Sequence, residues 1–216
     1  MKSLILAALA LLVPSSAFAQ ADGVAESGDT RSRAEVEQLR ERIRNDPLAP
    51  TIAPRGHDVT IVVFSDYQCG YCRRFSPTLD TLMAQDRKVR VVYRDWPILS
   101  AGSRDAARAA VAARFQGQDR HLAFHRALIA TSGRLDAAKI RAAADKAGLD
   151  WNRLVADQAK HKTAIDALLS RTGGYARLLG LSGTPGILVG PYVIPGLVDL
   201  ATLKKAVQMS RDKQTQ

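Results

Sequence analysis

Cys69 and Cys72 are the only two cysteines in this 216-residue chain, and their flanks constrain the fold more than any other feature. Before them, Val59-Thr60-Ile61-Val62-Val63-Phe64 is a run of β-branched and apolar residues, the pattern of a buried strand. After them, Phe75, Leu79, Leu82 and Met83 recur at helical spacing. The pair therefore belongs at a strand-to-helix junction, with Cys69 at or just before the first turn and Cys72 a turn inside, where it is less accessible. Unsatisfied N–H groups of a first turn, together with the helix dipole, stabilise a thiolate at Cys69. Arg73, one turn along, is expected to add positive potential. This placement divides the roles: Cys69 attacks or is attacked, and Cys72 resolves the mixed disulfide.

The start of the chain bears on what two cysteines mean. Lys2, the apolar run from Leu4 to Val13 and Ala17-Phe18-Ala19 have the three-part layout of a secretory signal peptide. The run stops at Pro14, short of the roughly 20 apolar residues that span a bilayer. Residues 1–19 are therefore expected to be a cleaved leader, and the remainder an exported, periplasmic protein. An oxidising compartment favours disulfide chemistry. A structural staple across so short a loop removes little chain entropy, and a zinc site wants four ligands where no second cysteine pair exists. One reading from another class stays open: the pair as soft ligands of a copper-handling protein. No resident metal and no cofactor are called for.

Composition narrows the partners. At 46% hydrophobic and 24% charged, with 15 Gly and 9 Pro, the chain has globular values, which exclude a wholly disordered or collagen-like protein. The net charge of +10 permits nucleic acid or acidic proteins as partners. The basic residues are spread along Arg-rich helices rather than clustered with aromatics, which argues against nucleic acid. His121 and His125 have a metal-capable i, i+4 spacing, but Leu122 stands where a protease zinc motif needs Glu, so they are assigned to packing or the surface. Trp96 and Trp151 are read as core anchors.

A coarse pass gives the element order. Residues 20–33 are polar and small, and are read as flexible. Residues 34–45 read as a charged helix ended by Asp46-Pro47. A second strand covers Val89-Arg90-Val91-Val92-Tyr93. The pattern is helical from about 103 to 179, then two short strands flank Gly190-Pro191, and a last helix runs from about 199 to 208 ahead of a polar tail at 211–216.

That order resembles a thioredoxin fold interrupted by helices, the arrangement of the DsbA family. Phe64-Ser65-Asp66-Tyr67-Gln68-Cys69-Gly70-Tyr71-Cys72 is similar to the family's active-site block, Tyr93-Arg94-Asp95-Trp96-Pro97-Ile98-Leu99 to its second-strand exit, and Gly183-Thr184-Pro185 to its cis-proline loop. The likeness is nearest to the exported DsbA-like and ScsC-like branch. It implies an α/β thioredoxin fold over residues 46–210, with a helical insertion between the second and third core strands and a short N-terminal helix in front. It implies a thiol–disulfide oxidoreductase acting on exported cysteine-containing proteins, an oxidase first and an oligomeric disulfide isomerase as the alternative, reset by a membrane partner of DsbB or DsbD type. It also implies that Gly70, Tyr71, Thr184 and Pro185 form the substrate-facing loops, with Thr184-Pro185 cis. The chain departs from the best-known oxidases in having Gly-Tyr where they have Pro-His between the cysteines. It also has Val63 where they carry a buried Glu, which leaves Asp66 as the candidate for proton handling.

The N-terminal helix raises one further expectation. Val36, Leu39 and Ile43 are spaced like coiled-coil a and d positions, and a helix of about a dozen residues must pack on something. Packing on its own domain is the first expectation. Self-association through residues 34–45, as in some ScsC-like relatives, is the second.

Overall fold

Strands Val59–Ser65 and Val89–Asp95 lie side by side and parallel, paired from Val59↔Val89 to Ser65↔Asp95, and the other elements are arranged around them. A computed structural model describes residues 32–214; the expected leader at 1–19 and most of the segment at 20–33 lie outside the described residues. In chain order, α1 (Arg33–Arg44) leads to a two-residue strand β1 (Thr51–Ile52), then β2 (Val59–Ser65), α2 (Gly70–Gln85) and β3 (Val89–Asp95). Five helices follow: α3 (Ala101–Ala113), α4 (Gln118–Ala130), α5 (Ala137–Lys146), α6 (Trp151–Lys160) and α7 (Lys162–Leu178). The chain closes with β4 (Gly186–Val189), β5 (Tyr192–Pro195) and α8 (Leu200–Gln214). The sheet order is β1-β3-β2-β4-β5, with β4 antiparallel to β2 and β5 antiparallel to β4. This is a thioredoxin fold with a helical insertion between β3 and β4.

The central strands are covered on both faces, which is why they read as unbroken apolar runs. Val59, Ile61, Val63, Val89, Val91 and Tyr93 face α2 and α8, packing on Phe75, Leu79, Leu82, Leu203 and Val207. Val62, Phe64, Val92 and Leu188 face the insertion. There α3 contributes mostly alanines, buried from Ala106 onward, and these small side chains suit a helix wedged between a sheet and other helices. Ser100, Asp136 and Asp150 cap α3, α5 and α6 by accepting the backbone N–H of Ser103, Lys139 and Arg153, each cap contributing about 1 kcal/mol. One glycine is required by close approach. A Cβ on Gly102 would stand 2.2 Å from the Leu135 carbonyl oxygen.

Helix α1 docks on its own domain, the first of the two sequence expectations. Ile43 is fully buried and Leu39 packs on the same core. The anchor is Arg94, whose side chain is wholly buried on β3. It donates to the carbonyls of Ile43 (2.6 and 3.0 Å) and Arg42 (2.9 Å) and to the Asp46 carboxylate (3.2 Å). A cation at a helix C-terminus satisfies carbonyls left open by the last turn and complements the dipole. Two boundaries need correction. The sheet has a short edge strand, β1, and the tail expected at 211–216 is helical through Gln214. Arg211 holds that last turn by pairing with Asp58 and Asp86, both at 2.8 Å, contacts between segments distant in sequence.

Arg94→Met removes a buried cation, leaving the Arg42 and Ile43 carbonyls without their donor and Asp46 with Arg171 as its remaining cation. We expect a loss of about 3 kcal/mol, read by urea unfolding; a change below the error of the extrapolation would contradict the anchoring role.

Candidate active site at the Cys69–Cys72 turn

Cys69 is itself the N-cap of α2. Its backbone is extended (φ −78°, ψ 118°) and its sulfur accepts the N–H of Cys72 at 3.4 Å. The position normally filled by a Ser or Asp oxygen is thus filled by the sulfur, and the helix terminus points its donors at the atom that must carry negative charge. The thiol also reaches the Thr184 carbonyl at 3.2 Å, and the Thr184–Pro185 peptide is cis, as the resemblance implied. The structure brings Cys69, Cys72, Thr184 and Pro185 to one end of the sheet, with Gly70 and an exposed Tyr71 beside them. Both cysteines carry free thiols. Cys69 is 7% exposed and Cys72 3%, and burial pushes the Cys72 thiol up to about 12.

Two polar expectations are redirected. Arg73 turns away from the thiols and donates to the carbonyls of Ile129 (3.2 Å) and Thr131 (3.0 Å) at the end of α4, so its charge caps that helix. Asp66 is buried, and its carboxylate accepts from Gln68 N (2.8 Å), Ser103 Oγ (2.7 Å), Ile98 N (2.8 Å) and Leu99 N (3.0 Å). Four donors occupy its oxygens, so it clamps the turn. Its main-chain carbonyl takes the Cys69 N–H at 3.0 Å. Through Asp66 the cysteine turn, the β3 exit and the start of α3 become one unit. Gln68 extends it, accepting the Leu135 N–H at 2.7 Å across the space that Gly102 leaves open.

The carboxyl that sequence reasoning missed is Asp95. It ends β3 opposite Ser65 and is buried, and its oxygens make no well-formed hydrogen bond among the described residues, the Tyr67 hydroxyl being their polar neighbour. Burial pushes it up to about 7, with the Asp66 charge adding to the rise and the neighbouring Tyr67 hydroxyl opposing it. That hydroxyl is 3.0 Å from His125 Nδ1. His125 and His121 are buried neutral imidazoles on α4, both pushed down to about 3 chiefly by desolvation, and His125 packs on Tyr93 with ring centroids 4.4 Å apart. The packing assignment of the two histidines is what the structure shows. Cys72, Ser65, Tyr93 and His125 share a small closed cavity with about 10 Å³ available to a water centre, room for about one molecule. The one sequence signal for Asp95 was a carboxylate two positions past the Val89–Tyr93 run.

The fold and this turn, a cysteine pair at the head of a helix facing a cis-proline loop, are those of the thioredoxin class. Residues 60–208 match the DSBA-like thioredoxin domain, and the chain belongs to that family. Its structure is similar to a thioredoxin-like oxidoreductase from Silicibacter pomeroyi DSS-3 (TM-score 0.74, 40% identity, 80% of this chain and 98% of that one). It is also similar to the thiol-disulfide exchange protein alpha-DsbA2 from Wolbachia pipientis (0.76, 26%, 82% and 94%) and to the catalytic domain of Proteus mirabilis ScsC (0.71, 26%, 84% and 99%). Among curated sequences it is 30% identical over 156 residues to the Na(+)/H(+) antiporter NhaA 1 of Salinispora arenicola, matching 71% of this chain but 23% of that protein. The chain thus spans about a quarter of the length of the curated relatives it matches. No helix among the described residues is long and apolar enough to cross a membrane.

Asp95 carries a pH signature. Its ordinary value is 3.8 and its folded value about 7, so between them the native state holds a proton that the unfolded chain has released. Stability from this group is complete below about pH 4 and declines as pH rises to 7. Asp95→Asn should therefore stabilise the protein at pH 8 by on the order of 2 kcal/mol, roughly 4–8 °C in Tm, and change it little at pH 4. Thermal unfolding at both pH values checks this. An equal effect at the two would contradict it. The depressed histidines act in the opposite sense and cancel in the difference between variant and wild type.

Proposed function

We propose that this protein is a periplasmic thiol–disulfide oxidoreductase that donates disulfides to exported cysteine-containing proteins and is reset by a membrane redox partner of DsbB or DsbD type. The observation that carries the reading is the asymmetry of the two sulfurs: one caps a helix and faces the Thr184 main chain, the other is buried beneath it. A client thiolate attacks Cys69 of the Cys69–Cys72 disulfide. The S–S bond breaks, a client–Cys69 disulfide forms, and Cys72 leaves as a thiolate that takes up a proton. A second client thiolate then attacks the client sulfur, and Cys69 leaves as a thiolate held by the α2 N-terminus. The client receives one disulfide and the protein keeps two thiols.

Asp95 supplies the proton that Cys72 needs. A thiol near 12 makes a poor leaving group unless an acid stands by, and a carboxyl near 7 is half protonated at neutral pH. The strand register puts Asp95 beside Ser65, and Ser65 lines the small cavity next to Cys72. In the reverse direction the same carboxylate takes the proton as Cys72 attacks. Thr184 presents its main chain at Cys69, and its N–H has no acceptor among the described residues, which suits an extended client segment. The leader-like first 19 residues support export.

The test is catalysed reduction of insulin by dithiothreitol. Wild-type protein should accelerate it strongly and Cys69→Ser should not exceed the uncatalysed rate. No acceleration by the wild type, together with tight stoichiometric copper binding, would replace this reading with that of a metal-handling protein.

A further inference from the structure

Beside the active site, a groove of about 500 Å³ opens between α3 and α7 at the β3 exit. Trp96, Ile98 and Leu169 give it an apolar lining, and Arg104, Arg108 and Arg177 a cationic one. Arg108 is engaged by Asp166 at 2.7 Å, which also takes Lys162 at 2.6 Å. Arg104 and Arg177 are exposed and have no ion-pair or hydrogen-bond partner for their side chains among the described residues. The Trp96 indole N–H likewise meets no acceptor there. Gly173 leaves it uncovered, since a Cβ at that position would stand 3.4 Å from Trp96 Nε1. Three unspent donors, two of them charged, line one apolar groove whose single carboxylate already has two cations.

The groove is tied to the cysteine turn through the β3 exit. Ile98 lines it, and the exposed side chains of Ile98 (45%) and Leu99 (54%) make an apolar lip beside it. The Asp66 clamp holds both of their N–H groups together with Gln68 N, and the Asp66 carbonyl holds Cys69 N. A chain leaving Cys69 across that lip meets guanidinium groups and an indole N–H, donors that pair best with carboxylates.

We propose that this groove receives the segment flanking a client's reacting cysteine and selects clients carrying Asp or Glu there. The proposal rests on the thiol-exchange reading and names its substrate class. Apolar contact with Trp96, Ile98 and Leu169 seats the segment, while Arg104 and Arg177 fix its preference. The chain's net charge of +10 steers the same acidic partners toward it at long range.

The experiment compares two dithiol peptides identical except for a Glu-Glu or Gln-Gln pair moved stepwise along one side of the first cysteine. They are oxidised by the wild type and by an Arg104→Glu/Arg177→Glu double variant, both sites being exposed and outside the exchange chemistry. The wild type should favour the Glu peptide at its best position by about tenfold in kcat/KM, carried mainly by KM and erased by high salt. The double variant should lose or invert that preference while oxidising the Gln peptide and a small dithiol at the wild-type rate. Equal kcat/KM for both wild-type reactions, with exchange otherwise brisk, overturns the groove and leaves the oxidoreductase standing. Competition by free glutarate as effective as that of the Glu peptide would make this a small-carboxylate site and overturn the peptide proposal. Failure of the wild type to oxidise either peptide or the small dithiol would remove the exchange reading and the groove with it.

Discussion

The sulfur of Cys69 does the work of a helix cap, and much of this molecule exists to keep it there. An N-cap needs an extended backbone and a free acceptor; Cys69 has both, receiving the Cys72 N–H. The same donors that stabilise the helix stabilise charge on the sulfur, so the fold and the chemistry draw on one interaction. Asp66 fixes the turn from below by binding the β3 exit and α3 to it. The helical insertion closes over the site through Gln68 and Leu135. Loss of that geometry would leave two ordinary cysteines.

Burial separates the second sulfur from the first. Cys72 lies inside α2 with its thiol pushed up to about 12, which keeps it protonated and out of solvent in the reduced protein. A carboxyl on the adjacent strand with no well-formed hydrogen bond is costly to bury, and the proposed proton transfer to Cys72 would give that cost a use. Arg94 shows the contrasting solution on the other face of β3: a buried charge given a carboxylate and two helix carbonyls becomes an anchor. Neighbours in sequence, Arg94 and Asp95 point to opposite sides of the sheet.

The strands and the cysteine turn were legible because their signals are local. Val59–Phe64 and Val89–Tyr93 are buried on both faces and read as continuous runs, and Phe75, Leu79 and Leu82 follow the helical period. The placement of Cys69 at the helix start follows from those two patterns alone. What escaped depends on tertiary pairing. Asp95 gains its meaning only when Ser65 is placed across from it, and the clamp at Asp66 appears only when four donors arrive from residues 68 to 103. Arg73 has the right spacing from Cys69, yet the end of α4 claims it. The last turn of α8 reads as a polar tail because its partners, Asp58 and Asp86, lie more than a hundred positions away. β1 pairs over only two residues, too few for any period.

The central claim is that two chemically identical side chains three positions apart have different roles because one caps the helix and the other is sealed inside it. Limited alkylation of the reduced protein with iodoacetamide at neutral pH, followed by peptide mapping against time, measures this directly. The account predicts that Cys69 is modified quickly and Cys72 stays unmodified until the protein is unfolded. Equal rates at the two positions, or faster modification of Cys72, would contradict it.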